Sequence, residues 1–67
     1  MAEKYVQTLD RSLDVLEVLA QAEEALGVTE IGNRISLHKS TVHRILHTLC
    51  HRGYVERVRD NERYQLG

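Results

Sequence analysis

A chain of 67 residues makes one small domain, because a polypeptide of this size buries only about 60% of its unfolded surface and cannot hold two independent cores; a multidomain enzyme is excluded. With 42% hydrophobic and 28% charged residues and a net charge of -1, the composition is that of a folded globular protein, neither disordered nor membrane-embedded. The longest apolar run is Val18-Leu19-Ala20, the start Met1-Ala2-Glu3-Lys4-Tyr5 has no signal-peptide pattern, and Cys50 is the sole cysteine, so a cytoplasmic setting is expected and a disulfide framework or cysteine-rich zinc site is excluded.

Four segments follow along the chain. Residues 8–22 read as a helix, with Thr8 as its cap and with Leu9, Leu13, Leu16, Leu19 and Ala20 in one stripe at about 100° per residue, the expected core face. Arg11, Val15, Val18 and Ala22 form a second, weaker seam. Isolated surface valines are ordinary, but such a seam can also pack on another chain, so Val15, Val18 and Ala22 are the candidate dimer contact. A two-turn helix is expected over 29–35, capped by the Thr29 hydroxyl, with Glu30 at its positive end and Ile31 and Ile35 on its buried face. Gly32 within it lowers helix propensity by up to about 1 kcal/mol relative to alanine, which marks a place where another helix comes close.

The third segment, 39–52, buries Val42, Ile45, Leu46 and Leu49 and is closed by Gly53 in the position of a left-handed cap. Its opposite side carries Ser40, Arg44, His47 and His51, flanked by Thr41 and His43, with Lys39 at the start. From Tyr54 to Leu66 the pattern alternates, and Asp60-Asn61-Glu62 supplies a turn, so a two-stranded hairpin is expected in which Val55, Tyr64 and Leu66 lean on the helices. The fold class is therefore mainly α with a small β-hairpin: three helices and a two-stranded wing, a winged helix-turn-helix occupying residues 1–67 as a single domain.

Charge is divided unevenly over this order. Residues 1–33 hold two basic against seven acidic side chains, net -5, whereas residues 34–67 hold seven against three, net +4. No carboxylate occurs from Ile31 through Tyr54. Solvated helix faces ordinarily mix both signs, so this stretch fits a surface that approaches phosphates. One helix fits the major groove of B-DNA, and its first turns reach base edges when they carry long or polar side chains. Lys39, Ser40, Thr41, His43 and Arg44 meet that requirement, with His47 one turn further and Thr29 at the preceding helix. Arg44 can pair with guanine, worth roughly 1 to 3 kcal/mol of discrimination, and Ser40 and Thr41 suit phosphates or a thymine methyl. Arg59 and Arg63 are expected at the hairpin tip, against the adjacent backbone or minor groove, while Arg57 can pair instead with Glu56 or Glu62.

The strings Leu9-Asp10-Arg11-Ser12-Leu13-Asp14-Val15-Leu16, Val28-Thr29-Glu30-Ile31, Leu37-His38-Lys39-Ser40-Thr41-Val42-His43-Arg44-Ile45-Leu46-His47-Thr48-Leu49, Gly53-Tyr54-Val55 and Arg63-Tyr64-Gln65-Leu66-Gly67 closely resemble the N-terminal DNA-binding domain of IclR-type bacterial transcription regulators. The resemblance runs from Val6 to Gly67. It implies a repressor or activator that binds double-stranded DNA at a pseudo-palindromic operator as a homodimer, at the nucleoid when bound. It also implies a small-molecule effector sensed by a C-terminal domain, which is expected to be absent from a chain ending at Gly67. His38 stands where the family commonly has proline and Ser36 where it often has glycine, departures that bear on the turn geometry.

Two other readings stay open. His43, His47 and His51 recur every four residues with Cys50 nearby, the spacing of a metal sensor, although three such positions drift around the helix and no carboxylate joins them. A winged helix can also serve only as a protein-interaction module. No metal or other cofactor is expected, and an enzyme is not, since no glycine-rich elbow or oxyanion arrangement accompanies Ser40 and His43.

Overall fold

The computed structural model describes residues 4–59 and 61–67; Asp60, expected in the hairpin turn, lies outside them. Helix α1 spans Gln7–Gln21, α2 Val28–Ile35 and α3 Lys39–His51, followed by strands β1, Val55–Val58, and β2, Arg63–Leu66. The strands pair antiparallel, Val55 opposite Leu66 and Val58 opposite Arg63. Three helices and a hairpin wing are thus the observed architecture, as expected. An additional bridge joins Leu26 to Tyr64, with reciprocal backbone bonds of 2.9 and 2.7 Å, and ties the wing to the loop between α1 and α2.

The core is built from Val15, Leu19, Leu26, Ile31, Val42, Ile45, Leu46, Leu49, Val55 and Tyr64. The α3 stripe read from the sequence is buried in full. The α1 stripe is not: Leu9 and Leu13 are 59% and 48% exposed, whereas Val15 is wholly enclosed and Val18 and Ala22 pack against the core. The expected dimer contact at Val15, Val18 and Ala22 is corrected accordingly, because that seam is spent on the chain's own interior. Leu66 shares a face with Val55 and Tyr64 but remains 42% exposed at the hairpin's open end, so only the latter two lean on the helices as expected.

Helix starts also differ from expectation. Val6 rather than Thr8 precedes α1, without a side-chain cap, and Gly27 rather than Thr29 precedes α2. The Leu26 bridge fixes the chain one residue earlier, and the Glu30 carboxylate accepts the Gly27 N–H at 2.9 Å, half of a capping box that needs no side chain at position 27. At the far end of α3, Gly53 has φ +85 and the Tyr54 N–H reaches the Leu49 carbonyl, the left-handed termination expected there.

The reversal between α2 and α3 uses the same device with a costlier residue. Ser36 has φ 58, and the Leu37 N–H donates to the Gly32 carbonyl at 3.0 Å. A Cβ at Gly32 would stand 2.7 Å from the Leu37 carbonyl oxygen and 3.6 Å from Val42 Cγ2, so what comes close to this glycine is the turn's own backbone together with α3. Gly32→Ala is expected to lower the unfolding free energy by about 2 kcal/mol through this overlap. Ser36→Gly is expected to raise it by up to about 1 kcal/mol by relieving the left-handed strain. Urea unfolding checks both as midpoint shifts at constant slope, and equal midpoints for the two variants would contradict the packing argument.

Candidate nucleic-acid interface

The polar side of α3 is held outward because its other side is anchored by four buried aliphatic residues, Val42, Ile45, Leu46 and Leu49. Complete burial of such a side chain is worth about 1.5 to 3 kcal/mol, which leaves the helix no freedom to rotate. Lys39, Ser40, His43, Arg44 and His47 are all exposed, and Thr41 is half-buried. A cleft of about 570 Å³ opens between the starts of α2 and α3, lined by Val28, Thr29, His38, Lys39, Ser40, His43 and Arg44. Five of the nine residues expected to face DNA are brought together here. Thr29 joins them because the helix begins before it, which leaves its hydroxyl free of capping duty.

A second cleft, about 250 Å³, is lined by Thr8, Ser12, Thr41, Arg44, Ile45 and Thr48, so Arg44 borders both. Thr8, expected only as a helix cap, and Ser12 and Thr48 carry no sequence signal for this surface; they are ordinary hydroxyl residues brought to it by α1 crossing α3. Ser12 Oγ donates to the Thr8 carbonyl at 2.8 Å. His38 was missed as well. It precedes α3 and its Nδ1 accepts from the Ser40 N–H at 3.2 Å, so an imidazole does the capping commonly left to serine, threonine or aspartate. No acidic side chain occupies the first turn of α3, which leaves the positive end of that helix uncompensated within the chain.

The wing divides the remaining arginines. Arg59 is exposed beside the turn. Arg57 pairs with Glu62 at 3.6 Å, one of the alternatives weighed for it. Arg63 is not at the tip facing outward: its Nη1 donates to the Ala25 carbonyl at 3.0 Å and lies 3.5 Å from Glu30 Oε1. The bridge between Leu26 and Tyr64 lays the α1–α2 loop beside β2 and puts that carbonyl in reach, so Arg63, expected to face DNA, also fastens the wing to that loop while its side chain stays 39% exposed. It lines a separate cleft with Glu23, Glu24, Glu30 and Arg34.

Among the described residues, no three histidine, cysteine, aspartate or glutamate side chains are grouped as metal ligands. Cys50 is half-buried; burial pushes its thiol above the ordinary range, with Arg57 drawing it partly back. No helix among the described residues is long and apolar enough to cross a membrane.

Comparison with known proteins settles the lineage of this arrangement. The model of the IclR helix-turn-helix domain matches residues 8–59. The chain belongs to the IclR helix-turn-helix family. It is 42% identical over 62 residues to the glycerol operon regulatory protein of Streptomyces coelicolor, covering 92% of this chain and 24% of that protein. To the transcriptional repressor IclR of Escherichia coli it is 34% identical over 62 residues, covering 92% and 23%. Among solved structures, an IclR family transcriptional regulator from Brucella abortus superposes with a TM-score of 0.87 at 38% identity, over 94% of this chain and 24% of that one. The chain thus spans about a quarter of the length of these IclR relatives. They are regulators of transcription by name, which agrees with the non-enzymatic reading of the sequence.

The two wing arginines separate by assay. Arg63→Ala is expected to lower stability by about 1 kcal/mol through the lost Ala25 bond. Arg59→Ala is expected to leave the thermal midpoint unchanged and to weaken duplex binding at low salt. A reversed pattern would contradict the placement of the two guanidinium groups.

Proposed function

We propose that this IclR-family domain binds double-stranded DNA sequence-specifically to regulate transcription, with α3 in the major groove and the hairpin wing on the adjacent backbone or minor groove. The observation that carries this reading is the cleft at the start of α3, where Thr29, Lys39, Ser40, His43 and Arg44 converge with no carboxylate among the lining residues. Long or polar donors at the first turns of a helix are what major-groove edges accept, and the uncompensated helix end adds attraction for phosphate. Arg44, bordering both clefts, is the side chain we assign to a base edge, with Thr41 and His47 on the flanking backbone. Arg59 extends the contact from the wing.

A homodimer on a pseudo-palindromic operator follows from the geometry of reading, since one helix covers one half-site and two half-sites lie roughly 34 Å apart. The apolar surface open to a second copy is the uncovered side of α1 at Leu9 and Leu13, continuous with the groove that Leu13, Leu16, Ala20, Tyr54 and Leu66 line, rather than the enclosed Val15 seam. In a full-length protein of this family a small-molecule effector would act through a further C-terminal domain.

Selection of bound duplexes from a random pool, repeated with Arg44→Ala, tests the reading. The expected result is an inverted pair of half-sites, with one position in each losing its preference in the variant by about 1 to 3 kcal/mol. Affinity should fall with salt by about 0.9 decade per decade for each phosphate neutralised. Recovery of no common sequence, together with affinity indifferent to salt, would reject DNA in favour of a protein-interaction module.

A further inference from the structure

The His38 ring makes two short approaches to one neighbour. Nδ1 lies 3.2 Å from the Ser40 backbone nitrogen and 2.9 Å from Ser40 Oγ. A backbone N–H can only donate, so Nδ1 must be the bare, accepting nitrogen of the neutral ring and the ring hydrogen must sit on Nε2. With no hydrogen on Nδ1, the short contact to Oγ can be a hydrogen bond only if the Ser40 hydroxyl donates. Its single hydrogen is then engaged, and toward the cleft Ser40 offers lone pairs alone.

We propose that His38 is a positioning residue that fixes Ser40 as a hydrogen-bond acceptor at the start of α3, and so sets which base edge that position prefers. Resting on the DNA reading above, this specifies the partner chemistry. Phosphate oxygens carry no hydrogen to give, so Ser40 in this state is mismatched to the backbone. It matches the exocyclic amino groups of adenine N6 and cytosine N4, the hydrogen donors of the major groove. Exposed His38 meanwhile carries its Nε2–H on the far side of the ring, a donor suited to guanine or to phosphate.

A second proton on the imidazole reverses the arrangement. Nδ1 becomes a donor, the Ser40 N–H loses its acceptor, and the hydroxyl accepts from the ring, which frees its own hydrogen for a phosphate oxygen. The charged or titratable groups lining the cleft around the ring are Lys39, His43 and Arg44 of α3; α2 contributes Val28 and Thr29, which do not titrate. His43 is a second imidazole in the same cleft, so total affinity does not isolate His38. The base preference at one position does.

Two measurements on the 67-residue chain test the proposal. Long-range proton–nitrogen NMR of the unliganded protein at about pH 8, above imidazole's charge change, is expected to find His38 Nδ1 bare and Nε2 protonated; the opposite tautomer overturns the proposal whether or not DNA is bound. Duplex selection at about pH 8 and about pH 5.5 is then compared for the native chain, His38→Asn, His38→Ala and Ser40→Ala. The expected result is a preference of about fivefold for adenine or cytosine at one half-site position at the higher pH, lost at the lower pH in the native chain. In His38→Asn, whose amide oxygen caps without titrating, it should persist at both, and in His38→Ala and Ser40→Ala it should be absent at both. A preference that ignores pH in the native chain, or that survives Ser40→Ala, overturns the assignment. If no duplex is selected by any variant, the DNA reading fails instead, and the tautomer result still stands or falls alone.

Discussion

The relation between α2 and α3 is set where the backbone reverses at Ser36 and Leu37. The Leu37 carbonyl occupies the volume in which a side chain at position 32 would stand, so these helices meet as closely as they do only because that position has no Cβ. The buried stripe of α3 then fixes its rotation, and the first turn of that helix is left outward beside Thr29. The cleft proposed to meet DNA is a by-product of this packing: its walls are the ends of two helices that a single crowded turn holds in register. Ser36 carries the strain of that turn in a left-handed conformation that glycine would adopt freely.

Much of this was legible in the sequence because the signals were one-sided. On α3 every strongly apolar residue lies in one arc and every charged one outside it, so burial followed directly, and Gly53 ended the helix where a left-handed residue was required. The first helix carries apolar residues on two arcs, and periodicity alone does not say which faces inward. The more populous arc is split: Leu9 and Leu13 at the helix start are exposed, whereas Leu19 is buried beside Val15 of the other arc, because α1 docks along the edge the two arcs share. Arg63 shows the other kind of blindness. Its partner, the Ala25 carbonyl, is 38 positions away and is a backbone atom, so no residue type announces it.

The caps of α2 and α3 depart from residue preference for a shared reason. Capping was assigned by residue preference, to Thr8 and Thr29, whereas the structure caps by geometry: a Glu30 carboxylate reaching back to Gly27 and an imidazole accepting from Ser40. With the cap of α2 two residues earlier, the Thr29 hydroxyl keeps only the second of its two expected roles, lining the cleft. At α3 the cap became a titratable ring, which couples the end of that helix to the protonation state of its neighbour.

The bond pair between Leu26 and Tyr64 has a consequence for how the molecule would engage a long rigid ligand. A free-standing two-stranded hairpin samples many orientations, and a partner that grips it must suppress that motion at an entropic cost. Here the wing is stitched through β2 and Arg63 to the same loop that starts α2, so helix and wing are presented as one preformed jaw whose span is decided before any encounter.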